Sequence, residues 1–462
     1  QGNGCGTQMW AIVSSSMFKI MHKRNLAVKW HSPISKQALD LCGFAFVDDT
    51  DIIAATLGHQ NDPDETVQKM QLSIDCWEGL AKATGGAIDP DKSWWYLVHF
   101  EWKNGDWKYG DLSTVLFDSL SAKDKENHRV NLSYLESNMA KEMLGVFLAP
   151  DGNQDKQIET MTEKSVELGA HVSQSGLDHP STWVALNNVI LPSLYYPLKA
   201  LSLSEKECTS IMWKMLQKVL PRCGINRRIC RKILYGPVAC QGLGVKDMYL
   251  TQGISQVVDI IEQRFKSTPT GFFIQASIEH LKLELGCNGN IFELNYSDYK
   301  SILLTPSWIR SVWEFCSTQH ITFNEKSPQF PTRRHRDTFL IKTLLSHHQI
   351  PNSYHKAFNK CRIYLQVLTL SDIVTGDGSM ITTEAWKGQR NVHSSRKYNW
   401  PKTQRPSAQN WVIWRKCLTL MFLRPIEHTR ITPPRLRNYM GRWYYPSQST
   451  HWNWYLSSAT TS

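Results

Sequence analysis

The sequence predicts an α+β protein, because strand-like and helical patterns dominate different parts of the chain. Two apolar runs flank the acidic pair Asp48–Asp49, a pattern typical of a β-hairpin with both carboxylates at its tip. Between Gln154 and Phe265 apolar residues recur at helical spacing instead. We therefore expect an antiparallel sheet with helices in residues 1–153, a helical region in 154–265, and a mixed, basic region in 266–462.

Composition places the chain among globular proteins. Its 462 residues suffice for two or three domains, and 41% are hydrophobic and 20% charged. A formal net charge of +11 favours a polyanionic partner. No apolar run approaches the roughly 18 residues that a membrane span needs, and the sequence shows no secretory-signal pattern. We thus expect an intracellular protein, in the cytoplasm or nucleus, without a membrane partner.

The cysteine content is consistent with an intracellular protein, and the tryptophan content with a nucleic-acid partner. Eleven Cys occur without a Cys-x-x-Cys pair, which favours reduced thiols over a zinc site or a disulfide framework. Eighteen Trp interleaved with Arg and Lys suit stacking on unpaired bases, although any single one is more often a core residue.

The predicted hairpin tip is the strongest candidate for chemistry. Adjacent aspartates repel each other and lose hydration unless a cation lies between them. Hard oxygen ligands at a fixed tip suit Mg²⁺, and the reaction they favour is two-metal phosphoryl or nucleotidyl transfer. The alternative is an exposed turn without a ligand, which is the commoner setting of an Asp-Asp pair.

Helical and turn patterns surround this hairpin. A Gly-rich opening, 1–6, leads into a helical pattern from Met9 to Met21. After the hairpin, apolar residues from Val67 to Ala81 predict a core-facing helix that ends at Gly85-Gly86. The turn that follows carries Lys92, which on the residue alone is typical of an exposed turn lysine.

Further strands and helices are predicted after residue 93. A hairpin is expected from runs 94–100 and 102–109 around Asn104-Gly105, and a strand over 143–150. One helical stripe should end at Pro192, and a second should contain Cys208, Ile211, Met215 and Val219.

Basic residues form clusters in the second half of the chain. Four cations follow the second helical stripe, and such a cluster is usually a solvated face: Arg227, Arg228, Arg231 and Lys232. Another basic run covers 333–336. From Trp386 onward the chain is polar, basic and rich in tryptophan, and we expect this tail to prefer unpaired strands.

Several short motifs resemble the characteristic boxes of reverse transcriptases. Phe46-Val47-Asp48-Asp49 resembles their aromatic-x-Asp-Asp box, and the following Thr-Asp-Ile-Ile is similar to the form in non-LTR retroelements. Gln1-Gly2 resembles the Gln-Gly box, although the usual Ser-Pro pair does not follow it. Lys92-Ser93 is similar to the family's turn after the helix, Leu144-Gly145 to its Leu-Gly box, and Gly242-Leu243-Gly244 to a segment after its thumb. Four of these boxes follow one another in the family's order over residues 1–153.

The resemblance implies a fold and an activity. Residues 1–153 would be a partial polymerase palm, 154–265 a helical thumb or connector, and 266–462 an accessory region. The reaction would be RNA-directed DNA polymerisation with two Mg²⁺ ions. The partners would be an RNA template, a DNA primer, the RNA–DNA duplex and deoxynucleoside triphosphates.

The resemblance also assigns roles to residues. Asp48 would be the main metal ligand, Asp49 its helper, and Lys92 a contact to the triphosphate. The remaining assignments are Gln1, Gly2 and Phe46 at the template–nucleotide pocket, Leu144, Gly145 and Val146 at the primer grip, and the four cations Arg227, Arg228, Arg231 and Lys232 on nucleic acid.

In the family, fingers and a strand with another catalytic Asp precede the Gln-Gly box. Nothing precedes Gln1 here, so we expect that the chain by itself does not polymerise. The alternatives are a non-catalytic nucleic-acid-binding remnant and a structural protein in which the Asp-Asp pair is a surface turn.

Overall fold

The structure is a computed structural model that combines helices with short strands, as the α+β prediction requires. It describes residues 6–46, 49–56, 63–103, 105–110, 119–324, 328–330, 337–375, 380–390, 398–422, 441–444 and 453–456. The chain forms two compact units. Unit 1 comprises Gln1–Trp30, Ala38–Glu101 and Lys108–Gln256, and unit 2 comprises His31–Gln37, Trp102–Trp107 and Val257–Ser462. This division does not test the three predicted domains, which stay a prediction.

Most described strands belong to two-stranded sheets in the first 150 residues. The pairs are β1 (Val28–His31) with β2 (Ala38–Leu41), β3 (Gly43–Phe46) with β4 (Asp49–Ile52), β5 (Trp94–Tyr96) with β10 (Ser133–Leu135), β6 (Phe100–Lys103) with β7 (Asp106–Tyr109), β8 (Ser121–Lys123) with β9 (Arg129–Asn131), and β11 (Lys141–Met143) with β12 (Val146–Leu148). The β5–β10 pair is parallel, whereas β3–β4, β8–β9 and β11–β12 are antiparallel. The described strands thus form small separate sheets.

The helices of unit 1 flank these sheets and follow them in the chain. They are α1 (Gly6–Lys23), α2 (Pro63–Ala83), α3 (Asp155–Gln174), α4 (His179–Ala185), α5 (Leu191–Tyr195), α6 (Glu205–Arg222), α7 (Arg231–Tyr235) and α8 (Met248–Gln263), the last of which continues into unit 2. The predicted helices over 9–21 and 67–81 are confirmed by α1 and α2.

Helix α2 organises the first 150 residues, because it is buried on two sides. On one side Trp77 packs against Phe18 of α1, with ring centroids 4.9 Å apart, and Ile52 of β4 joins this cluster. On the other side Val67 and Ile74 pack with residues of the later strands. The predicted end at Gly85-Gly86 is confirmed, since the Gly86 N–H donates to the Ala81 carbonyl at 2.8 Å.

A larger helical core follows, with α3 packed along α6. The predicted stripe of α6 lies inside it, and Cys208, Ile211, Met215 and Val219 are all buried. Helix α6 begins with a reciprocal capping box of Ser204 and Glu207. Serine and glutamate at this spacing fix where the helix starts, so local sequence and tertiary burial agree here.

Three local predictions in unit 1 are wrong. The helical stripe does not end at Pro192, because a π-helical turn over Leu186–Ile190 leads directly into α5. Pro192 lies in the first turn of α5, where proline's lack of an N–H is tolerated. Residues 143–150 are not one strand, because Leu144-Gly145 forms a turn between β11 and β12. The expected hairpin strand over 94–100 is split, since β5 pairs with β10 and β6 with β7.

Unit 2 is mainly helical. Its elements are α9 (Pro269–Leu285), α10 (Tyr296–Tyr299), α11 (Trp308–Thr318), α12 (Leu340–Leu345), α13 (Asn352–Leu365), α14 (Thr383–Lys387), α15 (Ala408–Phe422), and the antiparallel strands β13 (Gly441–Tyr444) and β14 (Asn453–Leu456). The basic run 333–336 lies outside the described residues.

A fully buried arginine ties α13 to the end of α9. Arg362 donates to the carbonyls of Leu283 and Glu284, both at 2.7 Å, and to the side chain of Asn359 at 2.8 Å. These carbonyls belong to the last turn of α9, where helical partners are lacking. Burial therefore costs the guanidinium less than it would without these acceptors.

Two tryptophans of the basic tail belong to this core. Trp411 and Trp414 are buried, and their indole N–H groups donate to the carbonyls of Pro406 at 3.1 Å and Ala385 at 3.0 Å. The expectation that the tail tryptophans stack on unpaired bases is therefore wrong for these two. Their spacing on α15 places both toward α13, which sequence composition alone does not reveal.

Candidate functional site

The acidic segment forms the antiparallel hairpin that the sequence predicts, but Asp49 is the first residue of β4 and not part of the connection. Phe46 pairs with Asp49 and Phe44 with Asp51, so only two residues, Val47 and Asp48, connect β3 to β4. Those two residues lie outside the described ones, as do Gln1 and Gly2. Asp49 is described and exposed.

Register assigns the side chains of this hairpin to two faces. Directly opposed residues of an antiparallel pair share a face, and neighbours along a strand alternate. Phe44, Phe46, Asp49 and Asp51 therefore share one face, and Ile52 lies on the other, where it packs against the α2 cluster. Phe44 is 53% and Phe46 60% exposed. The acidic face is thus the open face, with two phenyl rings beside the carboxylates.

Close contacts at its base hold the two strands of the hairpin together and attach it to α2. A Cβ on Gly43 would overlap the Asp51 carbonyl, so glycine is needed for this approach of the two strands. After β4, the Lys69 ammonium of α2 donates to the Ala55 carbonyl at 2.8 Å, and the hydroxyls of Thr56 and Thr66 share a hydrogen bond of 2.8 Å. The fold therefore fixes the base of the hairpin and leaves its acidic face accessible.

The electrostatics of this face favour a cation. Burial raises the pKa of the Asp51 carboxyl above its ordinary value, and the negative charge of Asp49 raises it further. Two neighbouring carboxylates that repel each other, Asp49 exposed and Asp51 half-buried, are a donor set whose repulsion a hard divalent ion relieves. Asp51 is a site residue that the sequence reasoning did not assign. The sequence feature that could have identified it is the two-residue alternation of a strand, which places Asp51 on the same face as Asp49.

Lys92 lies in a short 3₁₀ helix, Pro90–Lys92, after α2. Its ammonium pairs with Asp89 at 3.2 Å, and its side chain is 85% exposed. The ion pair is a local surface contact of the (i, i+3) type, which solvent screens strongly. The lysine therefore remains available to an anion.

The predicted primer-grip residues lie in the β11–β12 hairpin. Leu144 and Gly145 have φ of 51° and 80°, the geometry of a type I′ turn, and Val146 starts β12. The Leu144 carbonyl accepts a hydrogen bond from the Tyr196 hydroxyl at 2.8 Å. This turn is thus docked on a neighbouring aromatic ring.

The basic cluster lies at the end of the helical core. Arg227, Arg228 and Lys232 are exposed, and Arg231 is half-buried with its guanidinium 4.7 Å from the ring centre of Trp213 on α6. Such a cation–π contact orients the guanidinium. The exposed face of α6 adds Lys206, Lys214 and Lys218. Sequence reasoning missed this extension, although the three lysines recur at helical spacing.

Among the described residues, one group of side chains has metal-ligand spacing. The ligand atoms of Asp124, Glu126 and His128 lie within 4.8 Å of one another. Asp124 Oδ1 already accepts the backbone N–H groups of Glu126 and His128, both at 2.8 Å. An aspartate that closes its own turn in this way explains the group without a metal.

Comparison of the chain with protein-family models, with curated proteins and with solved structures finds no match. None of the described helices is both long and apolar enough to cross a membrane.

Proposed function

We propose that these residues are part of an RNA-directed DNA polymerase that resembles the reverse transcriptases of non-LTR retroelements. The observation that carries the proposal is the β3–β4 hairpin, whose two-residue connection contains Asp48 and whose open face carries Asp49. Its base is held on α2 and Asp49 is exposed, an arrangement that suits a reaction beside Asp49.

Mg²⁺ is the metal that this proposal implies. Asp48 and Asp49 would hold it, and Asp51 would add negative charge beside them. Bound Mg²⁺ would stabilise the attacking and leaving oxygens of nucleotidyl transfer. Phe46, which flanks Asp49 on the open face, would pack against the nucleotide or template.

Lys92 and the basic cluster would bind the remaining charges. Lys92 would contact the triphosphate of a deoxynucleotide, while Arg227, Arg228, Arg231 and Lys232 would contact phosphates of the RNA–DNA duplex. Leu144, Gly145 and Val146 would support the primer end. The Tyr196 hydrogen bond favours this role, because it holds the turn in place.

A non-catalytic nucleic-acid-binding protein is the second candidate. The cation–π pair of Arg231 and Trp213, with the lysines of α6, favours it independently of the hairpin. Both candidates predict binding of nucleic acid, and only the polymerase predicts metal binding at the acidic hairpin.

Metal binding separates the two candidates. Electron paramagnetic resonance with Mn²⁺ as the probe should show that Asp49→Asn weakens binding about tenfold or more, because the variant has one charged ligand fewer. Glu163→Gln, which neutralises an exposed carboxylate on α3, should leave binding unchanged. Equal Mn²⁺ affinity in both variants would contradict the polymerase proposal.

Salt dependence tests the nucleic-acid surface that both candidates share. Replacing Arg227, Arg228, Arg231 and Lys232 together by Ala should reduce the slope of log K against log salt for an RNA–DNA duplex. The expected reduction is roughly 0.7–0.9 for each phosphate that the variant no longer binds. Lys125→Ala, in the β8–β9 turn, is the control. An unchanged slope in the fourfold variant would show that the cluster is only a solvated face.

A further inference from the structure

Unit 2 contains a cavity of about 720 Å³ that the acidic hairpin does not use. Its walls are α9, α13, residues 304–309, residues 400–406 and the tip of the β6–β7 hairpin, all within unit 2. The volume lies in the range of roughly 300–1,000 Å³ that is typical of small-molecule sites. It is large enough for one nucleotide.

The cavity walls are rich in flat apolar groups. Trp102, Trp107 and Trp400 contribute indoles, and prolines from residues 306, 401 and 406 add further apolar surface. Trp107 is 40% exposed, and Trp400 meets the Tyr398 ring edge-on with ring centroids 6.3 Å apart. Accessible indoles suit a planar, aromatic ligand because stacking needs only a π face.

Positive charge accompanies these rings. Lys356 and Lys402 line the cavity and are exposed, while Lys360 forms an ion pair with Asp106. The buried Glu284 carboxyl accepts the backbone N–H of Leu304, and burial raises its pKa. Because Lys356 and Lys402 are exposed charges of the cavity wall outside the Lys360–Asp106 ion pair, the cavity favours an anion such as phosphate.

The hairpin tip is fixed where it meets the cavity. A Cβ on Gly105, whose φ is 83°, would lie 2.6 Å from the Pro406 Cα, so the tip packs directly on that segment. The Lys360–Asp106 ion pair attaches the same tip to α13. Walls that are ordered before binding lose less conformational freedom when a ligand enters.

We propose that this cavity binds an unpaired nucleotide, with its base stacked on the indoles of Trp102 or Trp107 and its phosphate held by Lys356 and Lys402. Stacking recognises a base only when it is outside a duplex, so the proposed ligand is a free nucleotide or an unpaired position of a single strand. The assignment uses residues of unit 2 alone and does not depend on the metal site of the β3–β4 hairpin.

Calorimetric titration of the full chain tests this assignment with adenosine 5′-monophosphate, adenosine, ribose 5-phosphate and a short oligoadenylate. We expect the monophosphate to bind more tightly than either of its halves. Trp107→Ala should weaken its binding about 10- to 100-fold, and Lys356→Ala about 5- to 10-fold. The matched controls are Trp30→Ala, a similarly exposed indole on β1, and Lys342→Ala, an exposed lysine on α12.

Each outcome decides the proposal. Tighter binding of the oligoadenylate than of the monophosphate would identify a strand as the source, and the reverse would identify a free nucleotide. Absence of binding, equal weakening in the control variants, or ribose 5-phosphate binding as tightly as the monophosphate would overturn it. Thermal unfolding of each variant shows whether it is folded. If Trp107→Ala is not folded, Lys356→Ala still tests the proposal, because Lys356 is exposed and its replacement should not prevent folding.

Discussion

Two hairpins of unit 1 have connections of the same length but are anchored differently. Phe46 pairs with Asp49 in β3–β4, and Met143 pairs with Val146 in β11–β12, so two residues connect each pair of strands. The first hairpin is held through one face, by Ile52 in the α2 cluster. The second is held at its turn, by Tyr196 on the Leu144 carbonyl.

Because of this difference, the β3–β4 hairpin can offer carboxylates to a metal ion, whereas the turn of the β11–β12 hairpin is held by a neighbouring side chain. In β3–β4 the carboxylates and the Phe44 and Phe46 rings share an open face. In β11–β12 the turn carbonyl already has a partner. A reactive hairpin needs a rigid base and accessible ligand atoms, and β3–β4 combines a base held on α2 with the exposed carboxylate of Asp49.

The largest change in stability should come from adding a side-chain atom where β3 and β4 approach each other. Gly43→Ala should lower the free energy of unfolding by about 2–3 kcal/mol, because the new Cβ overlaps the Asp51 carbonyl and the backbone must shift. Urea denaturation measures this. Gly79→Ala is the control, since that α2 glycine has open space around it and alanine should stabilise by about 0.5–1 kcal/mol. A neutral Gly43→Ala would show that the hairpin is not held as described.

The docked turn should be less sensitive. Gly145→Ala places a Cβ 3.3 Å from the edge of the Tyr196 ring and forces alanine into φ near 80°. We expect a decrease in stability of about 1–2 kcal/mol from the left-handed backbone, measured in the same way. Tyr196→Phe, which removes only the hydrogen bond to Leu144, should cost about 0.5–1.5 kcal/mol. If Gly145→Ala costs more than Gly43→Ala, the comparison of the two hairpins is wrong.

The pH dependence of stability should report on the open acidic face. The pKa of Asp51 is raised in the folded state, so the unfolded chain ionises first and stability falls as pH rises from about 4 through the folded pKa. Asp51→Asn removes this fall, and its stability relative to the wild type should increase between pH 4 and pH 7.

Asp49→Asn sharpens the same test. It removes the second cause of the raised Asp51 pKa, so the fall should be smaller and should end at a lower pH without disappearing. Urea unfolding at several pH values measures both variants. Parallel pH profiles for wild type and Asp51→Asn would mean that Asp51 is not in the environment described.

Local sequence patterns predict the parts of this fold that local chemistry determines. The α2 stripe and its Gly85-Gly86 end follow from helical spacing and a positive-φ glycine, and the β3–β4 hairpin follows from its apolar–acidic–apolar pattern. The prediction is wrong at Pro192, where the helix continues after a π-turn, and at Trp414, where tertiary packing decides because the core encloses the indole.

The candidate site divides in the same way. The sequence predicts an acidic tip, but the face that adds Asp51 needs the exact turn length. The cavity of unit 2 could not be predicted, because it depends on Gly105 meeting Pro406, some three hundred residues later in the chain. Sequence spacing contains no information about such a contact.

Primer extension tests most directly the proposal that the acidic hairpin is a polymerase site. The polypeptide encoded by the whole reading frame that contains these residues is given Mg²⁺, deoxynucleotides and an RNA template with a DNA primer. We expect template-directed DNA synthesis that Asp48→Ala reduces about 100-fold or more, since a metal ligand supplies several kcal/mol of barrier lowering, while Glu163→Gln has no effect. A folded protein without synthesis, or equal synthesis by Asp48→Ala, would contradict this claim.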